Sequence, residues 1–201
     1  MNEFWKHPDL IPWYVFGAVW VISWLKVKPT KLAETAGSRL VTIGGMTAAF
    51  VLLFRETAWS SALRQRFLPE AEWIFWAGIW VTSAGVLIAI WARYCIGQYW
   101  SARVTLKEGH RLIRSGPYRF VRHPIYTGML LGAAGRAFTI GEWRGVVAVL
   151  VILAAHSHKA LQEEALLDKE FGAEYASYRR STGFLFPRIW PAGIDTPGEG
   201  S

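Results

Sequence analysis

The stretch Trp73-Ile-Phe-Trp-Ala-Gly-Ile-Trp-Val-Thr-Ser-Ala-Gly-Val-Leu-Ile-Ala-Ile-Trp-Ala92 carries no charged residue over twenty positions. A helix of about 20 apolar residues spans the roughly 30 Å hydrocarbon core of a bilayer. Trp73, Trp76 and Trp80 suit an interfacial belt and lipid-facing packing. Four shorter apolar segments surround it, at about 10–25, 40–54, 125–138 and 143–155. Flanking Trp, Tyr and Thr in the headgroup zone lengthen the first two to plausible spans. The last two read as a short helical hairpin, tilted or partly sheltered by protein and closed by the turn Thr139-Ile-Gly-Glu142. The expected fold is an all-α integral membrane protein of about five transmembrane helices.

Composition agrees. The 201 residues are 52% hydrophobic with 12 Trp, and the charged share of 18% is well below the roughly 25% of soluble domains. A net charge of +7 could suggest nucleic acid, but the basic residues are scattered between apolar blocks and no groove-reading module accompanies them. Nucleic acid is therefore not an expected partner, whereas membrane lipid is. A single Cys95 excludes an internal disulfide framework and a Cys-built metal site. His156 and His158 have no third ligand spaced to join them, so no metal site is expected. Lys6 follows Trp5 and the first apolar run has no small-residue cleavage pattern, so that run is expected to be a retained anchor.

Charge also orients the spans. With five crossings and an outside N-terminus, 16 of the 22 Lys and Arg fall on the inner side. This is the sense of the positive-inside rule. The C-terminal region and the connection at 93–123 then share the cytoplasmic side, as a common site requires. Residues 1–92 form an N-terminal unit of three transmembrane helices. Residues 93–190 hold the connection, the hairpin and a C-terminal helix, and 191–201 read as a disordered tail.

Within the connection, Val104-Thr-Leu106 is weakly strand-like and Ser115-Gly-Pro117 is turn chemistry. Pro124 suits the first turn of the fourth helix, where its missing N–H costs nothing. That places His123 at the helix boundary, near unpaired backbone donors that would favour an anionic group. Gly128, Gly132 and Gly135 mark one face for close approach of a helix or a ligand. His156, Lys159 and Glu163 fall at i, i+3 and i+7 on one face of a helix that continues beyond the membrane. Leu167, Phe171, Tyr175 and Tyr178 recur at helical spacing and are expected to pack that extension against the protein. Taken singly, His123 could merely cap a helix, and Arg119 and Arg122 could anchor headgroups. Glu163-Glu164 could be a solvated face. The functional reading rests on their conjunction beside a glycine-lined hairpin.

The stretch His110-x-Leu-Ile-x-Ser-Gly-Pro-Tyr-Arg-x-Val-Arg-His-Pro-Ile-Tyr-Thr-Gly128 resembles the signature of the isoprenylcysteine carboxyl methyltransferase family, in its prokaryotic form. So does Lys159-x-x-x-Glu-Glu-x-x-Leu-x-x-x-Phe-Gly-x-x-Tyr-x-x-Tyr178, and together the match covers about 93–187. The resemblance implies a membrane methyltransferase using S-adenosylmethionine, with its cofactor-binding region on the cytoplasmic face of a prokaryotic inner membrane. No G-x-G-x-x-G follows a strand here, consistent with a donor not held by a Rossmann domain. Carried over by position, the donor would contact His110, Arg111, Leu112, Ile113, Tyr118, His123, Pro124, Ile125 and Tyr126. The catalytic acceptor-side pair falls on Lys159 and Glu163. Eukaryotic members have Arg at the first of these, and Lys offers a point charge where Arg grips a carboxylate with two parallel bonds. Arg103 stands where those members have Gln.

The acceptor implied is lipidic, a prenylated small molecule or peptide with a carboxylate. A phospholipid amine or a small thiol are alternatives within methyl transfer. Two readings lie outside it. One is an NADPH-dependent reductase of the sterol-reductase type, which would need further basic residues for the 2′-phosphate. The other is a non-catalytic membrane scaffold, which predicts that Tyr118, His123 and Glu163 can be replaced without loss.

Overall fold

Each apolar segment becomes a helix. The computed structural model describes residues 7–24, 30–33, 36–55, 59–97, 100, 105–107 and 112–188. Arg103, His110, Arg111 and the tail at 191–201 lie outside the described residues. A short 3₁₀ turn, Pro8–Leu10, leads into α1 (Ile11–Trp24). Strand β1 (Thr30–Ala33) precedes α2 (Ala36–Phe54) and α3 (Glu72–Ile96). Strand β2 (Thr105–Lys107) follows, then a 3₁₀ turn at Gly116–Arg119. The chain ends in α4 (Pro124–Ile140), α5 (Trp143–Phe171) and α6 (Ala173–Ser181). Among the described residues the named elements are thus helices apart from one small antiparallel ribbon of β1 and β2, the second strand overlapping the strand-like run.

Among the described residues, α3 and α5 are long and apolar enough to cross a membrane. Helix α3 runs four residues past Ala92 and carries Arg93 with it. The Arg93 guanidinium donates to the carbonyls of Ser23 and Gly97, both at 2.7 Å, so one buried cation closes the ends of α1 and α3 together. Helix α4 starts at Pro124 as its chemistry dictates and stops at Gly141, whose φ of 67° is a left-handed cap. Helix α5 continues unbroken from Trp143 through its polar part. At 1.5 Å per residue it is about 43 Å long, longer than a hydrocarbon core, so its last turns project beyond one. The break comes at Gly172, φ 48°. Leu167 and Phe171 therefore lie on α5, and the buried Tyr175 and Tyr178 on α6, rather than along one helix as the spacing suggests.

The closest packing is between α3 and α4. A Cβ on Gly85 would lie 2.4 Å from the nitrogen of Gly132, and one on Gly128 would lie 2.5 Å from the carbonyl oxygen of Gly85. One on Gly135 would meet the Thr82 nitrogen at 2.4 Å. Thr82 Oγ1 crosses the seam to donate to the Gly132 carbonyl at 3.2 Å. The hairpin glycines are thus consumed by helix packing, and no ligand is needed to explain them. On the other side of α4, Leu52, Leu53, Leu130, Ala133, Ala148 and Ile152 form a core shared with α2 and α5. Outward, Trp73, Trp80, Leu87, Trp91 and Tyr94 leave one flank of α3 apolar and exposed. Such a surface is unfavourable in water and suits lipid.

Candidate active site

The site forms where the start of α4 meets the polar half of α5. The segment after α6 straps across this junction. Arg122 N–H donates to the carbonyl of Gly183 at 2.9 Å, and His123 N–H to that of Phe184 at 3.3 Å. Thr127 Oγ1 donates to the Leu185 carbonyl at 2.6 Å. The His123 amide is thus taken by the chain's own carbonyl. What the junction presents instead is its side chains.

Glu163 and Glu164 are neighbours on α5 and flank one imidazole. His123 Nδ1 lies 3.5 Å from Glu163 Oε2, and Nε2 lies 3.2 Å from Glu164 Oε1. Glu164 Oε1 also accepts from Arg122 Nε at 2.6 Å. Glu163 Oε1 accepts from the Tyr126 hydroxyl at 2.5 Å. Both ring nitrogens face carboxylates, so the ring is best served by donating from both, as an imidazolium. Burial on its own would lower the His123 pKa, yet the hydrogen bonds and charges of Glu163 and Glu164 outweigh it and the net shift is upward.

Tyr126 is the hub of the aromatic contacts. Its ring stacks with His123 at 5.6 Å and 8°, and with His156 at 4.7 Å and 21°. The Lys159 ammonium lies 5.6 Å from the same ring's centroid. Tyr118 is buried nearby, its phenol held well above the ordinary value by burial and by the negative charge of Glu163. Its carbonyl accepts from the Tyr178 hydroxyl at 2.6 Å, which ties α6 to the turn before α4.

The structure brings Tyr118, His123, Pro124, Ile125, Tyr126, Lys159 and Glu163 to one end of the bundle. Ile113 joins through the apolar cluster of Ala92, Trp100, Tyr118 and Ile125. Leu112 is half-buried. His110 and Arg111 lie outside the described residues. Three participants went unassigned in the sequence reading: Arg122, Glu164 and His156. The Glu163-Glu164 doublet was a visible signal for Glu164. Arg122 stood within the quoted signature, but taken singly a basic residue at a membrane surface reads equally well as a headgroup anchor. His158 is exposed, and its Nε2 lies 2.8 Å from the Gln162 amide, away from His156's stack on Tyr126.

A model of the phospholipid methyltransferase family matches residues 73–174, half of the chain. Among individual proteins, the chain is similar to the cobalt-zinc-cadmium resistance protein CzcN of Cupriavidus metallidurans. They are 34% identical over 121 residues, which is 57% of this chain and 54% of that protein. The protein-S-isoprenylcysteine O-methyltransferase of Schizosaccharomyces pombe is 29% identical over 110 residues, 47% of each chain. A probable protein-S-isoprenylcysteine O-methyltransferase of Oryza sativa subsp. japonica is 31% identical over 125 residues, 61% of this chain and 65% of that one. The chain thus spans between 47% and 65% of the length of these relatives.

Proposed function

Because the chain belongs to the phospholipid methyltransferase family, we propose that it is a membrane methyltransferase using S-adenosylmethionine to methylate a lipidic carboxylate. A prenylated small molecule or peptide is the acceptor class that the isoprenylcysteine relatives suggest. The single observation that carries the reading is the pairing of the His123 ring with Glu164, 41 residues further along the chain, and with Glu163 beside it. That pairing joins both halves of the motif at one point.

The residues suit such a donor. It is a cation that bears an amine and ribose hydroxyls, and this end of the bundle offers the Glu163 carboxylate as a hydrogen-bond acceptor. His123, Tyr126 and Glu163 would hold the donor, with Tyr118, Ile113 and Ile125 forming the apolar wall beside it. When bound, S-adenosylmethionine supplies an electrophilic methyl group, which passes to an acceptor oxygen while the carbon–sulfur electron pair stays on sulfur. Lys159 would orient the acceptor carboxylate by its charge. Glu163 would keep that Lys and the donor side in register. Alignment of two reactants is worth up to roughly 7–11 kcal/mol of barrier in the best-oriented cases. An ionised carboxylate needs no proton removed, whereas an amine acceptor would ask Glu163 to act as base.

The 16-to-6 division of Lys and Arg supports a cytoplasmic location for this end in a five-span protein of a prokaryotic inner membrane. The test is calorimetric titration of detergent-purified protein with S-adenosylhomocysteine and, separately, NADPH. Saturable binding of the first, lost in His123→Ala and Glu163→Ala, is the expected result. Binding of NADPH alone would replace the reading with a reductase. Folded protein that bound neither would leave the scaffold reading standing.

A further inference from the structure

His156 is a buried polar group that the donor and acceptor roles above leave unused. It is 3% exposed and faces the site from one turn of α5 before Lys159. Its ring lies against Tyr126, and its Nδ1 has no hydrogen-bond partner among the described residues. A bare buried ring nitrogen is unfavourable relative to one that is satisfied. A native fold that keeps one therefore calls for a ligand atom or an ordered water beside it. The charged and titratable groups acting on the ring are Lys159, Glu163 and His123. Lys159 is itself buried, at 9% exposure, and lies against the same Tyr126 ring.

We propose that His156 is a specificity-determining residue: its Nδ1–H and the Lys159 ammonium form a two-point clamp for the carboxylate of the methyl acceptor. This inference rests on the methyltransferase reading and names the group that reads the acceptor. A lysine holds a carboxylate as a point charge, with little control of its plane. A second donor of fixed direction, held rigid by stacking, supplies that control. The ring donates rather than removes a proton, because the reacting oxygen is already ionised. That oxygen gives a lone pair to the methyl carbon, the carbon–sulfur pair goes to sulfur, and an ester and a thioether result with no proton moved. The neutral Nδ1–H tautomer serves this role, and a carboxamide or an ester in place of the carboxylate loses both the charge and one acceptor oxygen.

The test uses full-length protein in detergent, with N-acetyl-S-farnesylcysteine as acceptor probe, its carboxamide as comparison and S-adenosylhomocysteine as donor-side probe. His156→Phe keeps the stack and removes the donor, whereas His156→Gln restores an N–H. The expected result is that the wild type prefers the acid over the carboxamide by about tenfold or more. His156→Phe reduces that preference by about threefold or more, the Lys159 charge still favouring the acid, while binding S-adenosylhomocysteine as the wild type does, and His156→Gln regains most of it. The clamp is overturned if His156→Phe keeps the acid preference undiminished, or if the wild type never shows one. A His156→Phe that fails to fold still leaves the wild-type ratio and the Gln variant to decide. Failure of the wild type to bind S-adenosylhomocysteine would instead sink the parent reading.

Discussion

His123 is the residue on which the local electrostatics turn. Burial opposes its charge, two carboxylates favour it, and the carboxylates win. A group whose folded pKa lies above its unfolded one adds stability in full below the unfolded value, about 6.5 for His. That stability drains away as pH rises through the higher folded value. The neighbouring phenols do not blur this window. Burial pushes Tyr178 up to about 12, and Tyr118 is held well above its ordinary value. The melting temperature is thus expected to fall as pH is raised from about 7 through the His123 transition, and His123→Gln is expected to flatten that slope. Identical slopes in both proteins would refute the assignment. Arg122 is the second residue-scale test. Its guanidinium joins Glu164 to the carbonyls of Thr182 and Arg179. Removing one partner of a buried ion pair costs about 3 kcal/mol or more. Arg122→Met should therefore lower thermal stability clearly, and weaken S-adenosylhomocysteine binding with it, as measured by parallel melts and titrations.

At the scale of elements, the α3–α4 seam decides how far the site can tolerate change. Helix backbones meet there without intervening side chains. A methyl group at Gly85 collides with the backbone of Gly132 and Gly128, atoms that cannot swing aside. At Gly44 on α2 the same methyl would meet nothing within 4 Å. Gly85→Ala is expected to cost the folded yield or several degrees of melting temperature, whereas Gly44→Ala, favoured by helix propensity of about 0.5–1 kcal/mol, should not lower it. Equal melts for the two variants would show that the seam is looser than this packing. Helix α5 has a different task. One unbroken rod carries Arg144 at one end, bonded to the Leu52 carbonyl and Glu142, and Glu163 and Glu164 at the other. The site is positioned by a helix anchored at both ends.

Across the whole molecule, the two ends of the bundle differ in kind. The far end contains a cavity of about 750 Å³ lined by Asp9, Trp13, Arg66, Arg136, Glu142 and Arg144. Its charges answer one another: Arg136 pairs with Asp9 and Arg144 with Glu142. Arg66 donates to the Ile140 carbonyl at 3.0 Å and so caps α4. The near end holds the acid–imidazole–arginine cluster. The proposed orientation puts the far end outside and the near end in the cytoplasm. In a Cys95→Ala background, a cysteine at exposed Arg64 should react with an impermeant maleimide on intact cells. A cysteine at Arg180 should react only after permeabilisation, and the reverse pattern would invert the topology.

Much of this architecture was legible in the chain because it rests on local physics. A charge-free run such as 73–92 needs an apolar environment wherever it sits. Pro124 must begin a helix rather than continue one, and Gly141 can end one at little cost. The spacing of His156, Lys159 and Glu163 likewise put all three on one helical face before any contact was known. Partner choice was another matter, because it depends on distances between residues far apart in sequence. Only the tertiary structure set His123 between two carboxylates and gave Arg122 to Glu164. It also spent the hairpin glycines on α3 and drew the strap at 182–188 over the first residues of α4. It buried His156 with one ring nitrogen lacking a hydrogen-bond partner among the described residues. Helix content follows from which side chains the backbone can carry, but a reaction centre follows from which helices touch.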